Sequence, residues 1–261
     1  MLRVLLNFIV KTPIYPHWLD FRNKERGNNE LIKYFRGRVL ETGAGNCEKK
    51  EIILKKNRRI SEYLATDFSS WHEQFEIQKK EAGRLGVITE ILYGRIKDDS
   101  RLDLACDALD LPFENSSFDT YASFEVTEHI PDLQKFFSEA SRVLKKGGRC
   151  ITVSPFIYRE HGGIDSDFQR ITRGGYRELA RKSGLTVEKI YTYSFFGTTL
   201  SILVNQFVVR KILEGKGVVR ILLFFLSPFI FLFSNCLGYV IDSLDQDDRF
   251  ASCYHVVMKK I

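Results

Sequence analysis

From Gly37 to Lys260 the chain alternates β-rich runs with helix-like stretches, and its first β-rich run ends in a glycine-rich turn. This alternation is the tightest constraint on the fold, because strand–helix–strand order favours parallel pairing with helices covering the sheet on both faces. GRVLETGAGN supplies the first strand and its turn, CEKKEIILKKN a helix, and RISEYLATD a second strand ending on Asp67. Ser69 or Ser70 is placed to cap a helix over WHEQFEIQKKEA. Residues 83–100 carry no periodicity and read as a long loop. RLDLACDAL, FDTYASFEV, RCITVSPF, LTVEKIYTY and ASCYHVVMKK are the third to seventh strands. The clearest helix is DLQKFFSEASRVLKKGG, with Asp132 as N-cap, an apolar stripe of Leu133, Phe136, Phe137, Ala140, Val143 and Leu144, and Gly147 just past its end. A further helix follows Thr172, and residues 1–30 read as an amphipathic helix followed by a polar connector, FRNKERGNNE.

The chain is long enough for one α/β domain with an embellishment, and 44% apolar with 28% charged residues is ordinary for a packed core. A net charge of +6 fits an anionic substrate or a membrane surface. No basic run with interleaved aromatics marks a nucleic-acid site. Five scattered cysteines without a CxxC pair point away from a disulfide framework or zinc and towards a reducing compartment.

A glycine turn after the first strand lets a ligand approach the backbone closely, and the following helix offers its free N–H groups. Gly43 and Gly45 stand in such a turn, which is not a GxGxxG fingerprint. Asp67, 24 residues beyond Gly43, can accept both hydroxyls of a ribose. Asp107 follows the third strand, where its carboxylate can accept from an adenine amino group while Ala108 donates its N–H to the ring. Each of these also has a plain turn or cap reading.

ETGAGN, ATD, CDALDLPFENSSFD, FEVTEHIPD and SRVLKKGGRCITVSPF together resemble the successive motifs of class I Rossmann-like S-adenosylmethionine-dependent methyltransferases, especially the type-11 group. The resemblance implies a three-layer sandwich with a seven-stranded, mostly parallel sheet whose last strand is antiparallel. It implies that Glu41, Gly43 and Gly45 hold the methionine end of S-adenosylmethionine, Asp67 the ribose, and Asp107 with Ala108 the adenine, with Glu125 also beside the cofactor. One departure is Cys47, which stands where the family often has a third glycine and is expected to narrow the space near the cofactor.

Methyl transfer is an in-line displacement in which the protein aligns donor and acceptor. A hydroxyl acceptor also benefits from a base. Glu125, Glu128 and His129 form E-x-x-E-H, and on a helical turn the three would share a face. A similar motif in ubiquinone-type O-methyltransferases is associated with metal, so these three are the candidate metal ligands. The E-H pair is also common in the wider group without one, and no resident metal is assigned. The second cluster, PFIYREHGGIDSDFQRIT, resembles a segment of polysaccharide and lipid-linked-sugar methyltransferases. His161 is the first choice for a catalytic base, with His129 second. Asp167 and Arg170 are candidate substrate-binding residues, Arg170 for an anionic group. Asp167 and Arg170 also have a plainer reading as an ion pair, and Thr172 as a helix N-cap.

The domain layout expected is an N-terminal helix and connector at 1–30, a cofactor-binding domain at 31–197, an apolar helical insertion at 198–248, and the last strand at 249–261. In the insertion, Ile221 to Ile241 is a run of 21 uncharged residues, long enough to span a bilayer. A single crossing would separate the sixth and seventh strands. Three arrangements remain: an interfacial segment broken by Pro228, a re-entrant pair with Leu200–Leu213 as the other arm, or a lid against the protein or a second subunit, as in a homodimer. Arg210, Lys211, Lys216 and Arg220 beside the apolar run suit anionic headgroups. The expectation is a cytoplasmic, monotopic enzyme at the inner face of a membrane, which O-methylates a small or lipid-linked acceptor such as a glycan intermediate or quinone-like lipid. The alternatives are a non-catalytic cofactor-binding scaffold, which only Cys47 favours, or a nucleic-acid methyltransferase, for which FEVTEH replaces the expected Pro-Pro-Tyr motif.

Overall fold

The computed structural model describes residues 8–68, 102–161 and 166–261. The helices expected over WHEQFEIQKKEA and at the extreme N-terminus, and the loop at 83–100, lie largely or wholly outside them. The chain divides into two compact units. One comprises 28–155, 160–191 and 254–261, and the other 1–27, 156–159 and 192–253.

The first unit is built on a seven-stranded sheet: β1 (Gly37–Thr42), β2 (Ile60–Asp67), β3 (Leu104–Ala105), β4 (Phe118–Phe124), β5 (Leu144–Pro155), β6 (Leu185–Tyr191) and β7 (Cys253–Lys260). Their spatial order is β3-β2-β1-β4-β5-β7-β6. β1 pairs parallel with β2 and β4, as do β2 with β3 and β4 with β5, whereas β6 and β7 are antiparallel. The helices are α1 (Trp18–Leu31), which begins in the other unit, then α2 (Glu48–Lys56), α3 (Leu133–Val143) and α4 (Arg173–Lys182).

The central strands are apolar on both sides because helices cover both sides. Phe35, Val39, Ile53, Tyr63, Phe124, Ile151 and Val257 form one buried cluster. Tyr121, Phe136, Phe137 and Tyr176 make another through edge-on ring contacts. α3 starts where Asp132 accepts from Lys135 N–H, and α4 where Thr172 accepts from Gly175 N–H, so both expected caps are present.

Several boundaries differ from expectation. α3 stops at Val143 and β5 begins at Leu144, because this chain segment is drawn into pairing with Phe118 of β4. β3 is two residues long. FRNKERGNNE is not a connector but the body of α1. Leu19, Asn23, Gly27 and Leu31 are buried at four-residue spacing along it, so a helical stripe runs through a polar sequence.

The second unit is a helical hairpin, α5 (Phe196–Glu214) and α6 (Gly217–Leu244), with the N-terminal segment against it. Asn205 Nδ2 donates to Pro16 O at 2.7 Å, and Asn235 Nδ2 to Pro13 O and Tyr15 O at 2.7 and 2.9 Å. α6 is continuous through Pro228, which therefore does not break the segment into two helices. By length and composition α6 is apolar enough to cross a membrane.

Candidate active site

The strand ends of the first unit carry the expected cofactor residues. β1 delivers Glu41, which is buried and accepts from Tyr63 Oη at 2.8 Å. Burial pushes its carboxyl up to about 7 against the opposing pull of Tyr63 and Lys49. Gly43 then turns the chain with φ of +69°, and a Cβ there would lie 2.2 Å from Val126 Cγ2. Only glycine fits both constraints. Gly45, at φ +51°, donates its N–H to Asp67 Oδ2 at 2.9 Å, tying the end of β2 to the turn after β1. Phe68 N–H donates to the other Asp67 oxygen at 2.7 Å.

Cys47 is also left-handed, with φ of +59°, at the N-cap of α2. That backbone is why glycine suits the position. Its side chain is buried with Ala44 and Ala65. Asp107 is exposed and accepts from Leu109 N–H at 2.8 Å, closing a turn that carries the half-buried Ala108.

The residues expected on the acceptor side converge beyond β4. Glu125 takes a left-handed φ of +57° and its N–H donates to Val153 O at 2.8 Å. Thr127–His129 then forms a single 3-10 turn. The left-handed step separates Glu125 from that turn, so Glu125, Glu128 and His129 do not share a helical face as their spacing suggested. The group that closes on Glu128 and His129 is instead His161. Glu128 Oε1 lies 3.7 Å from His161 Nε2 and 4.0 Å from His129 Nε2, with Glu128 almost wholly buried. The ligating atoms of these three lie within 4.8 Å of one another.

Each imidazole is oriented from behind. His129 Nδ1–H donates to Ser166 O at 2.5 Å. His161 Nδ1 lies 3.1 Å from Asp167 Oδ2, which also accepts His161 N–H at 2.9 Å. Both rings thus turn Nε2 towards Glu128. Asp167 in turn forms a two-point pair with Arg170, whose second contact is 2.7 Å. Burial opposes ionisation of Asp167, but the guanidinium and the His161 N–H overcome it and hold the carboxyl at about 2. Burial lowers the His161 pKa, with Asp167 opposing, which favours the proton-accepting form of the ring.

Residues 40–152 match the family model of the methyltransferase domain. The described sheet is also found in a methyltransferase of Haloferax volcanii solved in complex with its activator, with a TM-score of 0.55 and 17% identity over 98% of this chain and 93% of that one. Residues 40–152 thus carry a methyltransferase domain. Among curated relatives, the 27-O-demethylrifamycin SV methyltransferase of Amycolatopsis mediterranei is 27% identical over 162 residues, 58% of this chain and 54% of the relative. A ubiquinone/menaquinone biosynthesis C-methyltransferase of Bartonella bacilliformis is 28% identical over 114 residues, 44% of this chain and 39% of the relative. The chain thus spans about half the length, or less, of these relatives.

Within the methyltransferase domain, the sequence located Glu41, Gly43, Gly45 and Asp67, and the structure brings all four together. Asp107 and Ala108 stand on a separate turn after β3. Two contacts were not foreseen: Tyr63 on Glu41, and His161 on Glu128. The first had a signal, since β1–β2 register sets Glu41 opposite Ala65 and puts Tyr63 two residues away on the same face. The second joins positions 33 residues apart through a loop and left no local mark.

Proposed function

We propose that the chain is a methyltransferase that O-methylates a small or lipid-linked acceptor, a glycan intermediate or quinone-like lipid, while docked at the inner face of a membrane. The observation that carries the catalytic part is the His161 ring, held through Nδ1 by Asp167 with Nε2 facing Glu128. Support for a lipid-like acceptor comes from the relative named for ubiquinone and menaquinone and from the apolar α6; support for oxygen as the acceptor atom comes from the rifamycin relative.

The cofactor residues fit S-adenosylmethionine. A backbone with no room for a Cβ at Gly43, a buried carboxylate at Glu41 and a strand-end carboxylate at Asp67 suit a cationic nucleoside with a vicinal diol. Glu41, Gly43, Gly45, Asp67, Asp107, Ala108 and Glu125 would hold it. When bound it supplies an electrophilic sulfonium methyl group. His161 Nε2 takes the proton of the acceptor hydroxyl, and the imidazolium so formed lies between Asp167 and Glu128, 3.1 and 3.7 Å away. His129 stands beside it as the second proton-accepting group. Arg170 and Asp167 shape the acceptor side, where the positive charge of the guanidinium would favour an anionic group.

Transfer of label from methyl-labelled S-adenosylmethionine into extracted lipids and soluble glycans tests the assignment. Label should enter one fraction with wild type and not with His161→Ala, while calorimetry shows cofactor affinity unchanged. Equal labelling by both proteins overturns the base, and an absence of cofactor binding by wild type overturns the enzyme. The convergence of Glu128, His129 and His161 favours one second reading, a divalent cation that would lower the acceptor hydroxyl pKa. Activity that survives exhaustive chelation rejects it.

A further inference from the structure

The α5–α6 hairpin is built inside out for a pair of helices in water. Its buried face is rich in polar and small residues, with Ile202, Val208 and Phe231 among them. Gly197 and Gly238 meet so closely that a Cβ on Gly238 would lie 2.5 Å from Gly197 O. Further along, Ser201 Oγ donates to Asn235 Oδ1 at 2.8 Å, and Ser234 Oγ to Asn205 Oδ1 at 2.5 Å. Thr198 Oγ1 donates to Asp242 Oδ2 at 2.5 Å. All eight of these residues are buried. The outward face carries the bulk: Leu222, Phe225, Phe229 and Phe233 are 55, 69, 70 and 69% exposed.

Water places these classes the other way round, because burying aromatic and aliphatic area is the main gain on folding. In hydrocarbon that gain vanishes. Helices there associate through small residues at close approach and through side-chain hydrogen bonds across the seam. The backbone follows the same rule. Pro228 has no N–H for the carbonyl of Phe224, and Ser227 Oγ donates to that carbonyl at 2.8 Å. Hydrocarbon requires every such group to find a partner inside the protein.

The charge at the hairpin turn names the surface. Arg210, Lys211, Lys216 and Arg220 against Glu214 give 4 − 1 = +3 between residues 210 and 220. Basic groups beside apolar sequence bind anionic headgroups. The two ends of the hairpin also lie together, since Ser252 N–H donates to Ser194 O at 3.2 Å, so a single crossing is excluded.

We infer that α5 and α6 form a bilayer-embedded hairpin whose partner is an anionic phospholipid membrane, with the Phe/Leu face in hydrocarbon and the basic turn at headgroups. This rests on the membrane-facing part of the proposed function and is tested apart from catalysis.

Cys236 is exposed on α6, and of the other thiols only Cys106 is not buried. The full chain with Cys106→Ser can therefore carry an environment-sensitive fluorophore on Cys236. With phosphatidylglycerol/phosphatidylcholine vesicles the label should shift to the blue and be quenched by doxyl groups on the acyl chains. Vesicles of phosphatidylcholine alone should bind at least about tenfold more weakly, as should the unlabelled double variant Phe225→Glu/Phe229→Glu in co-flotation. Calorimetry with S-adenosylmethionine on the same samples reports the methyltransferase domain separately, so either reading can fail alone. Failure of wild type to float with anionic vesicles overturns the inference. So does a lipid-free dimer that the double variant dissociates, which would make the face a contact between two copies.

Discussion

The cofactor end of the sheet and the α5–α6 hairpin solve opposite problems. Around β1 the bulk is buried, with Val39, Phe124 and Ile151 in one cluster, and the polar groups gather at the strand ends. In the hairpin the polar groups are buried and the bulk is exposed. One chain thus carries both patterns, and the bilayer inferred for the hairpin would account for the second. In the sheet a buried carboxyl such as Glu41 is an exception, whereas in the hairpin buried Asn205, Asn235 and Asp242 are the rule that holds two helices together.

The sharpest way to test the sheet half of this contrast is His161→Ala. It should lower the chemical step by roughly 10²- to 10⁴-fold, read as kcat in single-turnover methyl transfer, with S-adenosylmethionine affinity unchanged. The wild-type rate should fall on the acid side through a pKa below 6.5, because the lowered His161 pKa leaves the ring protonated only there. Next in size is Gly238→Leu in the hairpin seam. A side chain driven against Gly197 O should cost about 3 kcal/mol in urea unfolding.

Glu41 gives the third test, through pH. Its folded pKa of about 7 lies above the ordinary value of 4.5, so the folded chain holds this proton more tightly. The stability it contributes is present below about 4.5 and is lost as pH rises through 7, up to about 3 kcal/mol in all. Glu41→Gln should flatten that part of the stability–pH curve, and an unchanged slope would place the titration elsewhere. The smallest effect belongs to Phe229→Ser. Without lipid it should change stability by less than about 0.5 kcal/mol, since the ring is largely exposed, yet weaken vesicle binding several-fold. A large loss in plain buffer would mean that the ring is covered by protein.

Most of the sheet could be read from sequence because strand and helix periods differ, and because Asp132 and Thr172 mark helix starts chemically. α1 escaped because its buried stripe includes Asn23 and Gly27, which carry no hydrophobic signal. Among the residues proposed for the acceptor side, the sequence named Glu128, His129 and His161 but not their partnership. Helical spacing joined Glu125 to Glu128, and the left-handed backbone at Glu125 undoes that spacing. Asp167 and Arg170 do form the mutual ion pair of their plainer sequence reading, and acceptor binding by Arg170 stands as a proposal beside it.

The place of β7 has a consequence for how the sheet closes. Cys253–Lys260 lies between β5 and β6, yet it is the last of the described strands. β6 therefore joins the sheet only through a strand that lies beyond the whole α5–α6 segment in sequence. Closing the sheet waits on that long-range pairing, which makes it a slow step of folding.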